Sequence, residues 1–216
     1  MQPSTHRTAV TPFIARLGSW KLWTVSAALL VPIAWMFFAS SAPFAIPEVE
    51  AACGQAPPDM RFFTTGAGVT QFLDDCGPDG RDAYRNMQLA DVFYPAIVGV
   101  FMASSLSLAL RRLSPRRSRI LWLGALPLAA GAFDYVENTF AWFALTSYPD
   151  PTATSDLLGV ASAAKTTTSW AAGLLLLATL AVIAVRTTSA RISAARTETT
   201  DASDRADERD VIGATP

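Results

Sequence analysis

Four long apolar blocks constrain this chain more than any other feature of its sequence. They cover residues 22–46, 88–110, 120–146 and 157–185. A bilayer core of about 30 Å needs roughly 20 consecutive apolar residues in a helix, so each block is long enough to cross a membrane. The sequence therefore predicts an all-α, polytopic membrane protein. We expect a four-transmembrane-helix bundle over residues 22–186, with one long extracytoplasmic loop over residues 47–87.

The positions of the arginines predict the orientation of this bundle. The connector Arg111–Arg119 carries five arginines and no acidic residue, and short basic connectors lie on the cytoplasmic side. Residues 1–21 and the chain after Arg186 are also basic close to the apolar blocks. We therefore expect a multi-pass protein of the bacterial inner (plasma) membrane with both termini in the cytoplasm. The chain after Arg186 contains few large apolar residues, which predicts a disordered cytoplasmic tail over residues 187–216.

The first apolar block has two interpretations. Ala39-Ser40-Ser41 resembles a signal-peptidase cleavage site, so the block could be a signal peptide. It is longer than the apolar region of a signal peptide, however, and it contains Pro32 and Trp35. These features favour a retained helix, with a kink at Pro32 where one backbone hydrogen bond is missing.

The two cysteines of the chain, Cys53 and Cys76, lie in the predicted extracytoplasmic loop. Outside the cytoplasm a disulfide between them is the expected state. The alternative is a membrane thiol oxidoreductase, but that chemistry usually shows a Cys-x-x-Cys pair, which this sequence lacks. The spacing therefore favours a structural disulfide.

A helix capped by Asp79 is expected to begin at Gly80 and to continue without a break into the second span. One face of this helix carries four residues at spacings of four, three and four: Tyr84, Gln88, Asp91 and Pro95. Proline has no N–H, so Pro95 leaves the carbonyl of Asp91 without its usual donor. Asp91 and Tyr94 are predicted to line the outer mouth of a site, and the alternative for Asp91 is an interfacial carboxylate that simply reaches water.

The third block contains a polar stripe, Asp134, Glu137 and Asn138, whose spacings of three and four place it on one helix face. A carboxylate at the centre of a membrane helix costs about 2.5–3.5 kcal/mol, so the stripe must face protein or water. A helix rises about 1.5 Å per residue, so the distance of a residue from the outer end of its block gives its depth in the membrane. On this measure Lys165 of the fourth block lies at a depth similar to that of Glu137. We therefore expect Lys165 to pair with Glu137 or Asp134.

One lysine that faces several carboxylates leaves an acid in excess, and crowded acids in a low dielectric hold a proton near neutral pH. A shareable proton suits general acid–base chemistry. The predicted catalytic residues are Asp134, Glu137, Lys165, Asp91 and Tyr94. The predicted substrate-binding residues are Asn138, Tyr84 and Gln88. The competing interpretation is a structural polar lock that fixes the register of the helices.

The expected partners of such a site are membrane lipids. The net charge of −1 does not indicate a nucleic-acid partner, and a single histidine, His6, does not favour a histidine metal centre. The identity of any cofactor stays open, since no ligand residue argues for a quinone or a haem.

Short motifs of the chain resemble those of a family of uncharacterised bacterial four-helix integral membrane proteins. The shared patterns are Asp-x-x-Tyr-Pro at Asp91–Pro95, Asp-Tyr-x-Glu-Asn at Asp134–Asn138, and a lysine in the last span, here Lys165. A Gly-Arg-x-x-Tyr stretch, here Gly80–Tyr84, often precedes them. The resemblance covers roughly residues 20–186 and implies the same fold and a shared intramembrane site. It implies no particular reaction, and the cysteine pair is not part of the pattern.

Three functions are compatible with these features. The first is a membrane-embedded enzyme that acts on a lipid or isoprenoid-like substrate. The second is a proton-coupled transporter or its subunit, which would need a homo-oligomer because four helices enclose little space. The third is a non-catalytic scaffold or assembly protein whose polar cluster is structural.

Overall fold

The computed structural model describes residues 12–114, 118–150 and 153–213, and this part of the chain is all-α. In chain order its α-helices are α1 Pro12–Leu17, α2 Trp20–Ala39, α3 Ile46–Cys53, α4 Gly66–Ala90, α5 Tyr94–Leu113, α6 Ser118–Leu121, α7 Leu126–Ser147 and α8 Ala153–Gly213. Two 3-10 helices, Pro58–Met60 and Trp122–Ala125, precede α4 and α7. Of the predicted segments, residues 1–11 with His6, residues 115–117 of the arginine connector and residues 214–216 lie outside the described residues.

Four helices of the described chain are long and apolar enough to cross a membrane, as the sequence predicts. They are Trp20–Ala39, Tyr94–Leu113, Arg119–Ser147 and Ala153–Ser193. Their outward faces are apolar: Val31, Leu174 and Val185 are each at least 65% exposed. Such surface is stable against lipid rather than water. The all-α class and the four apolar helices are therefore confirmed, while their orientation in the membrane stays a prediction.

The helices pack around α5 and α7. Helix α2 packs against α5, and both α5 and α7 pack against α8. A Cβ added at Gly131 of α7 would lie 3.1 Å from the carbonyl oxygen of Pro95 on α5. Because glycine has no side chain, the two backbones approach closely there, as small residues allow between membrane helices.

The expected continuous helix from Gly80 into the second span is wrong. Helix α4 ends at Ala90, three residues form a turn, and α5 starts at Tyr94. Pro95 lies in the first turn of α5, where a proline is favourable because its missing N–H would have no intrahelical partner. The proline therefore marks the start of a helix here and not a kink within one.

Helix α4 consists of two helical segments joined at Gly77, and its second segment begins close to the predicted helix start at Gly80. The helix begins at Gly66, with the Thr65 hydroxyl accepting a hydrogen bond from the Gly68 N–H at 3.1 Å. It is interrupted at Gly77, whose φ of 61° lies in the left-handed region that glycine favours. Asp79 is thus not the residue that caps the helix. Much of the predicted 47–87 loop is helical, in α3 and α4.

The chain between α2 and α5 forms a compact layer at one end of the bundle, which we call the loop end. Its core contains Val49 of α3, Phe72 of α4 and Leu158 of α8, each fully buried. Hydrogen bonds connect this layer to the helices: the Asp156 carboxylate accepts from the Gly66 N–H at 2.8 Å. The loop end is therefore an ordered cover and not an open connection.

A disulfide joins Cys53 of α3 to Cys76 of α4, which confirms the predicted pair. It closes a segment with a sequence separation of 23 residues. Loop-closure entropy of this size stabilises a fold by about 3 kcal/mol.

We expect Cys53→Ser with Cys76→Ser to lose about 3 kcal/mol of stability, because the open chain gains conformational freedom on unfolding. Thermal unfolding of the protein in nanodiscs measures the loss. Reductant should lower the unfolding midpoint of the wild-type chain and leave the double variant unchanged. An equal midpoint for both proteins without reductant would contradict the prediction.

The opposite end of the bundle carries arginines, and we call it the basic end. Here α1 packs its Ile14 and Leu17, both nearly fully buried, against the helices. The guanidinium of Arg111 on α5 donates to the carbonyl oxygens of Gly18 at 3.0 Å and Ile14 at 3.3 Å. Part of the predicted polar N-terminal segment is therefore a short helix bound to the bundle.

Helix α8 continues to Gly213, which differs from the disordered tail predicted from residue 187. The tail has few large apolar residues, and that composition led to the prediction of disorder. It is also rich in alanine and arginine, which have high helix propensity. Helix α8 thus extends past the last membrane-spanning residues, although the threonine, serine and aspartate residues of the tail have lower helix propensity.

Candidate functional site

The ammonium group of Lys165 lies at the centre of a polar cluster near the loop end. Lys165 forms ion pairs with the carboxylates of Glu137 and, at 3.5 Å, Asp134 Oδ1. Its Nζ also donates to the backbone carbonyl oxygen of Asp59 at 3.0 Å. A lysine has three N–H donors, and these three oxygens supply one acceptor for each. Lys165 therefore pairs with both of the acids that the sequence suggested as alternatives.

The side chains of this cluster differ in their exposed fractions. Glu137 is 0% exposed, whereas the side chains of Asp134 and Lys165 are 18% and 20% exposed. Glu137 Oε1 is buried and, within the described residues, has no hydrogen-bond partner. An unpaired acceptor in the interior costs about 1–3 kcal/mol, so the ion pair with Lys165 is the main contact that stabilises this carboxylate.

The polar stripe of α7 serves two different contacts. Asp134 and Glu137 face Lys165, while the side chain of Asn138 donates from Nδ2 to Asp91 Oδ2 at 2.6 Å. The hydroxyl of Tyr135, in the same stretch, donates to the Val92 carbonyl oxygen at 2.8 Å. Helix α7 therefore both binds the lysine and stabilises the turn between α4 and α5.

Asp59 is a member of the site that the sequence did not single out. It lies in the 3-10 helix Pro58–Met60 and is 5% exposed. Its Oδ2 accepts from Gln88 Nε2 at 2.8 Å, and its Oδ1 accepts from the Tyr84 hydroxyl at 3.4 Å. Burial raises the pKa of Asp59 above its ordinary value.

The structure gives Tyr84 and Gln88 a contact that the sequence did not suggest. Both were expected to bind substrate on the same face as Asp91, but they hold the carboxyl group of Asp59 instead. Tyr84 is 1% exposed, and burial raises its pKa well above the ordinary value, so its hydroxyl stays protonated and can donate. The pair fixes the loop residue whose carbonyl oxygen binds Lys165.

Tyr94 packs on the side of α5 that faces α2. Its ring lies 5.4 Å from the ring of Phe37 and 5.9 Å from that of Phe38. Tyr94 is the first residue of α5 and follows Asp91, which accepts a hydrogen bond from Asn138 of the polar stripe. Tyr94 thus borders the cluster, but it is outside the group of residues that contact Lys165 directly.

Asp91 lies in the turn between α4 and α5, next to the cluster and outside the membrane-spanning residues. It is 9% exposed. Burial, reinforced by the negative charge of Asp134, raises the pKa of Asp91 to about 8. The carboxyl group is therefore largely protonated at neutral pH, so the site holds a proton at Asp91.

The raised pKa of Asp91 predicts a pH dependence of stability. Between about pH 4 and pH 8 the folded protein keeps this proton while the unfolded chain loses it, so stability falls as the pH rises through this window. Asp91→Asn resembles the neutral form and still accepts from Asn138, so we expect it to flatten the curve. Thermal unfolding in nanodiscs from pH 4 to pH 9 measures both profiles.

The buried Asp59 contributes to stability in the same direction, so the informative quantity is the difference between the wild-type and Asp91→Asn profiles. Asp82→Asn is a control, because the side chain of Asp82 is 67% exposed. The control should keep the wild-type profile. Parallel profiles for Asp91→Asn and the wild type would contradict the assignment of the proton to Asp91.

A cavity of about 190 Å³ lies next to the ion pairs, between α5, α7 and α8. Its walls are mostly apolar and include Val98, Met102, Ala130 and Ala172. Asp134 is the ionisable residue of its lining, and Ser169, four residues after Lys165 on α8, adds a hydroxyl. An apolar cavity of about 150 Å³ binds a molecule of the size of benzene. This cavity is therefore large enough for an apolar group beside a carboxylate.

No family model matches the sequence, and no curated protein and no solved structure matches it significantly. The resemblance to bacterial four-helix membrane proteins therefore stays a prediction.

Proposed function

We propose that this protein is a membrane-embedded enzyme that performs acid–base chemistry on a lipid or isoprenoid-like substrate. The observation that carries the proposal is the position of Asp134. It contacts Lys165 at 3.5 Å and also lines an apolar cavity of about 190 Å³. A carboxylate that is held by a cation and faces an apolar cavity is suited to exchange a proton with a bound hydrophobic molecule.

The roles of the other residues follow from their contacts. Lys165 balances the charge of Asp134 and holds its orientation. Glu137 is fully buried behind the lysine and positions it. Asp59 closes the cluster from the loop end through its carbonyl oxygen. Two acids for one lysine leave a carboxyl group in excess, which can carry the proton that the reaction exchanges.

The charge distribution supports a location for the site within the membrane. The basic end carries Arg111, Arg112 and Arg119, and the polar cluster lies toward the opposite end of the helices. By the positive-inside rule the basic end faces the cytoplasm, so the cluster lies in the outer half of the bilayer of a bacterial inner membrane. A substrate could then reach the cavity from the lipid phase.

A structural lock is the second candidate function, and a specific observation favours it. Lys165 has an acceptor for each of its three donors, and one of them, the Asp59 carbonyl oxygen, belongs to the loop end. The ion pairs therefore join α7, α8 and the loop end, whether or not a substrate binds. The two candidates differ over the cavity, which a lock does not need.

Binding of small isoprenoid alcohols tests the proposed enzyme. Geraniol added to the protein in nanodiscs should raise the unfolding midpoint, because a ligand that binds only the folded state stabilises it. Ala172→Leu places a larger side chain into the cavity wall and should remove this shift. Val185→Leu, on an exposed face of α8, should keep it. An equal shift in all three proteins, or no shift in any, would count against the cavity as a substrate site.

A further inference from the structure

A second cavity lies at the basic end, far along the helices from the polar cluster. It has a volume of about 350 Å³ and lies between α2, α5 and α8. Its walls are formed by aromatic and aliphatic side chains, among them Trp23, Phe101, Leu108, Leu176 and Leu180. Trp20 and Arg112 also belong to its lining. We call it the basic-end groove.

The interior of this groove has few free hydrogen-bonding groups for a polar ligand. Its one hydroxyl group, that of Ser105, accepts a hydrogen bond from Trp23 Nε1 at 3.0 Å and donates to the Phe101 carbonyl oxygen at 2.8 Å. The remaining wall is hydrocarbon apart from the guanidinium of Arg112 and the indole N–H of Trp20. An occupant should therefore be a hydrocarbon chain with an acceptor group at one end.

The positive charge of Arg112 at one end of the groove favours an anionic group in the ligand. Arg112 is exposed, and its guanidinium carbon lies 6.0 Å from the centre of the Trp20 ring. Among the described residues it has no ion-pair partner. The sequence contains no Asp or Glu over residues 1–47, 92–133 and 157–197, which include every part of the chain that lines the groove. The segments of the chain that line the groove therefore supply no compensating negative charge.

The neighbouring arginine serves a different purpose. Arg111 donates to the carbonyl oxygens of Gly18 and Ile14, so it holds α1 against the bundle. Lys21 follows Trp20 in the sequence but lines a different depression, together with Arg16 and Val25. Arg112 is thus the basic residue that the structure places at the groove.

We propose that the basic-end groove binds an anionic glycerophospholipid of the adjacent leaflet. One acyl chain lies along the apolar wall, and the phosphate group faces Arg112. Arginine matches the geometry of a phosphate group, and Trp20 has the interfacial position that membrane tryptophans favour. This site is separate from the acid–base cluster and does not depend on the proposed enzymatic function.

Native mass spectrometry of the purified, delipidated full chain tests this proposal. Phosphatidylglycerol and phosphatidylcholine with identical acyl chains are the probes. The wild-type protein should retain phosphatidylglycerol about fivefold better than phosphatidylcholine, the preference expected for one basic residue near anionic lipid. Arg112→Gln should bring this ratio close to one. Lys21→Gln removes a charge from the same interface and should keep it.

Two further experiments distinguish the contribution of the acyl chain to binding from that of the phosphate group. Leu180→Trp enlarges a half-exposed side chain of the groove and should lower the retention of both lipids. Glycerol 3-phosphate, which has no acyl chain, should not displace the bound lipid. Displacement by glycerol 3-phosphate would replace the lipid site with a simple anion site. An equal loss of preference in Arg112→Gln and Lys21→Gln would also overturn the proposal.

Discussion

Lys165→Ala is expected to destabilise the protein by about 3–5 kcal/mol, the usual cost of removing one partner of a buried ion pair. Without the ammonium group, the fully buried Glu137 and the mostly buried Asp134 face each other with no cation between them. The Asp59 carbonyl oxygen also loses its donor, so the loop end is held less firmly. The yield of folded protein after extraction and its unfolding midpoint in nanodiscs measure the effect.

The exposed pair Asp82–Arg85 provides the matched control. Its ion pair of 2.8 Å lies on the surface of α4, and both side chains are about half exposed or more. Arg85→Ala should cost about 1 kcal/mol or less, as surface pairs do. In the double variant Lys165→Ala with Glu137→Gln one stranded charge is removed, so it should be more stable than Lys165→Ala alone. Equal costs for Lys165→Ala and Arg85→Ala would contradict the buried cluster.

Asp134→Asn is expected to leave the protein folded and to lower turnover by about 10²–10⁴-fold, the usual contribution of a positioned acid–base group. An asparagine oxygen can still accept from Lys165, and Lys165 keeps Glu137 and the Asp59 carbonyl oxygen. The substituted side chain cannot exchange a proton, however, and it faces the cavity in place of the carboxylate. The rate at which the product lipid forms, at equal protein abundance, measures the loss.

Glu137→Gln separates proton transfer from positioning. Glu137 is not part of the cavity lining and is fully buried. Its substitution should therefore weaken the hold on Lys165 and lower stability more than Asp134→Asn does. If Asp134→Asn keeps wild-type turnover, Asp134 is not the proton-transferring residue. If the Asp134→Asn variant unfolds as readily as Lys165→Ala, the structural lock becomes the better account of the cluster.

The contacts of Lys165 with Glu137 and Asp134 could be anticipated from the sequence because membrane helices have a simple geometry. A rise of about 1.5 Å per residue converts sequence position into depth, and charged residues at equal depth tend to pair. The same reasoning grouped Asp134, Glu137 and Asn138 on one face of α7. It could not tell that Asn138 turns to Asp91 while the two acids turn to Lys165, since that depends on where the neighbouring helices lie.

Asp59 could not be found in this way. It is one of several acids in a segment with no membrane span, and residues outside regular spans have no depth that sequence position determines. Its burial depends on Tyr84 and Gln88, which lie at least 25 positions further along the chain. The break between α4 and α5 was missed for a related reason. Pro95 fits either a kink or a helix start, and the contacts from Tyr135 and Asn138 that stabilise the turn are tertiary.

Untargeted lipid mass spectrometry on membranes from three matched strains tests the proposed function most directly. One strain lacks the protein, one carries it, and one carries Asp134→Asn at equal abundance. If the protein is an acid–base enzyme with Asp134 at its cavity, we expect a lipid species that appears, or disappears, only in the strain with the wild-type protein. Identical lipid profiles in all three strains would contradict the proposed enzyme and leave the ion-pair cluster as a structural feature of the bundle.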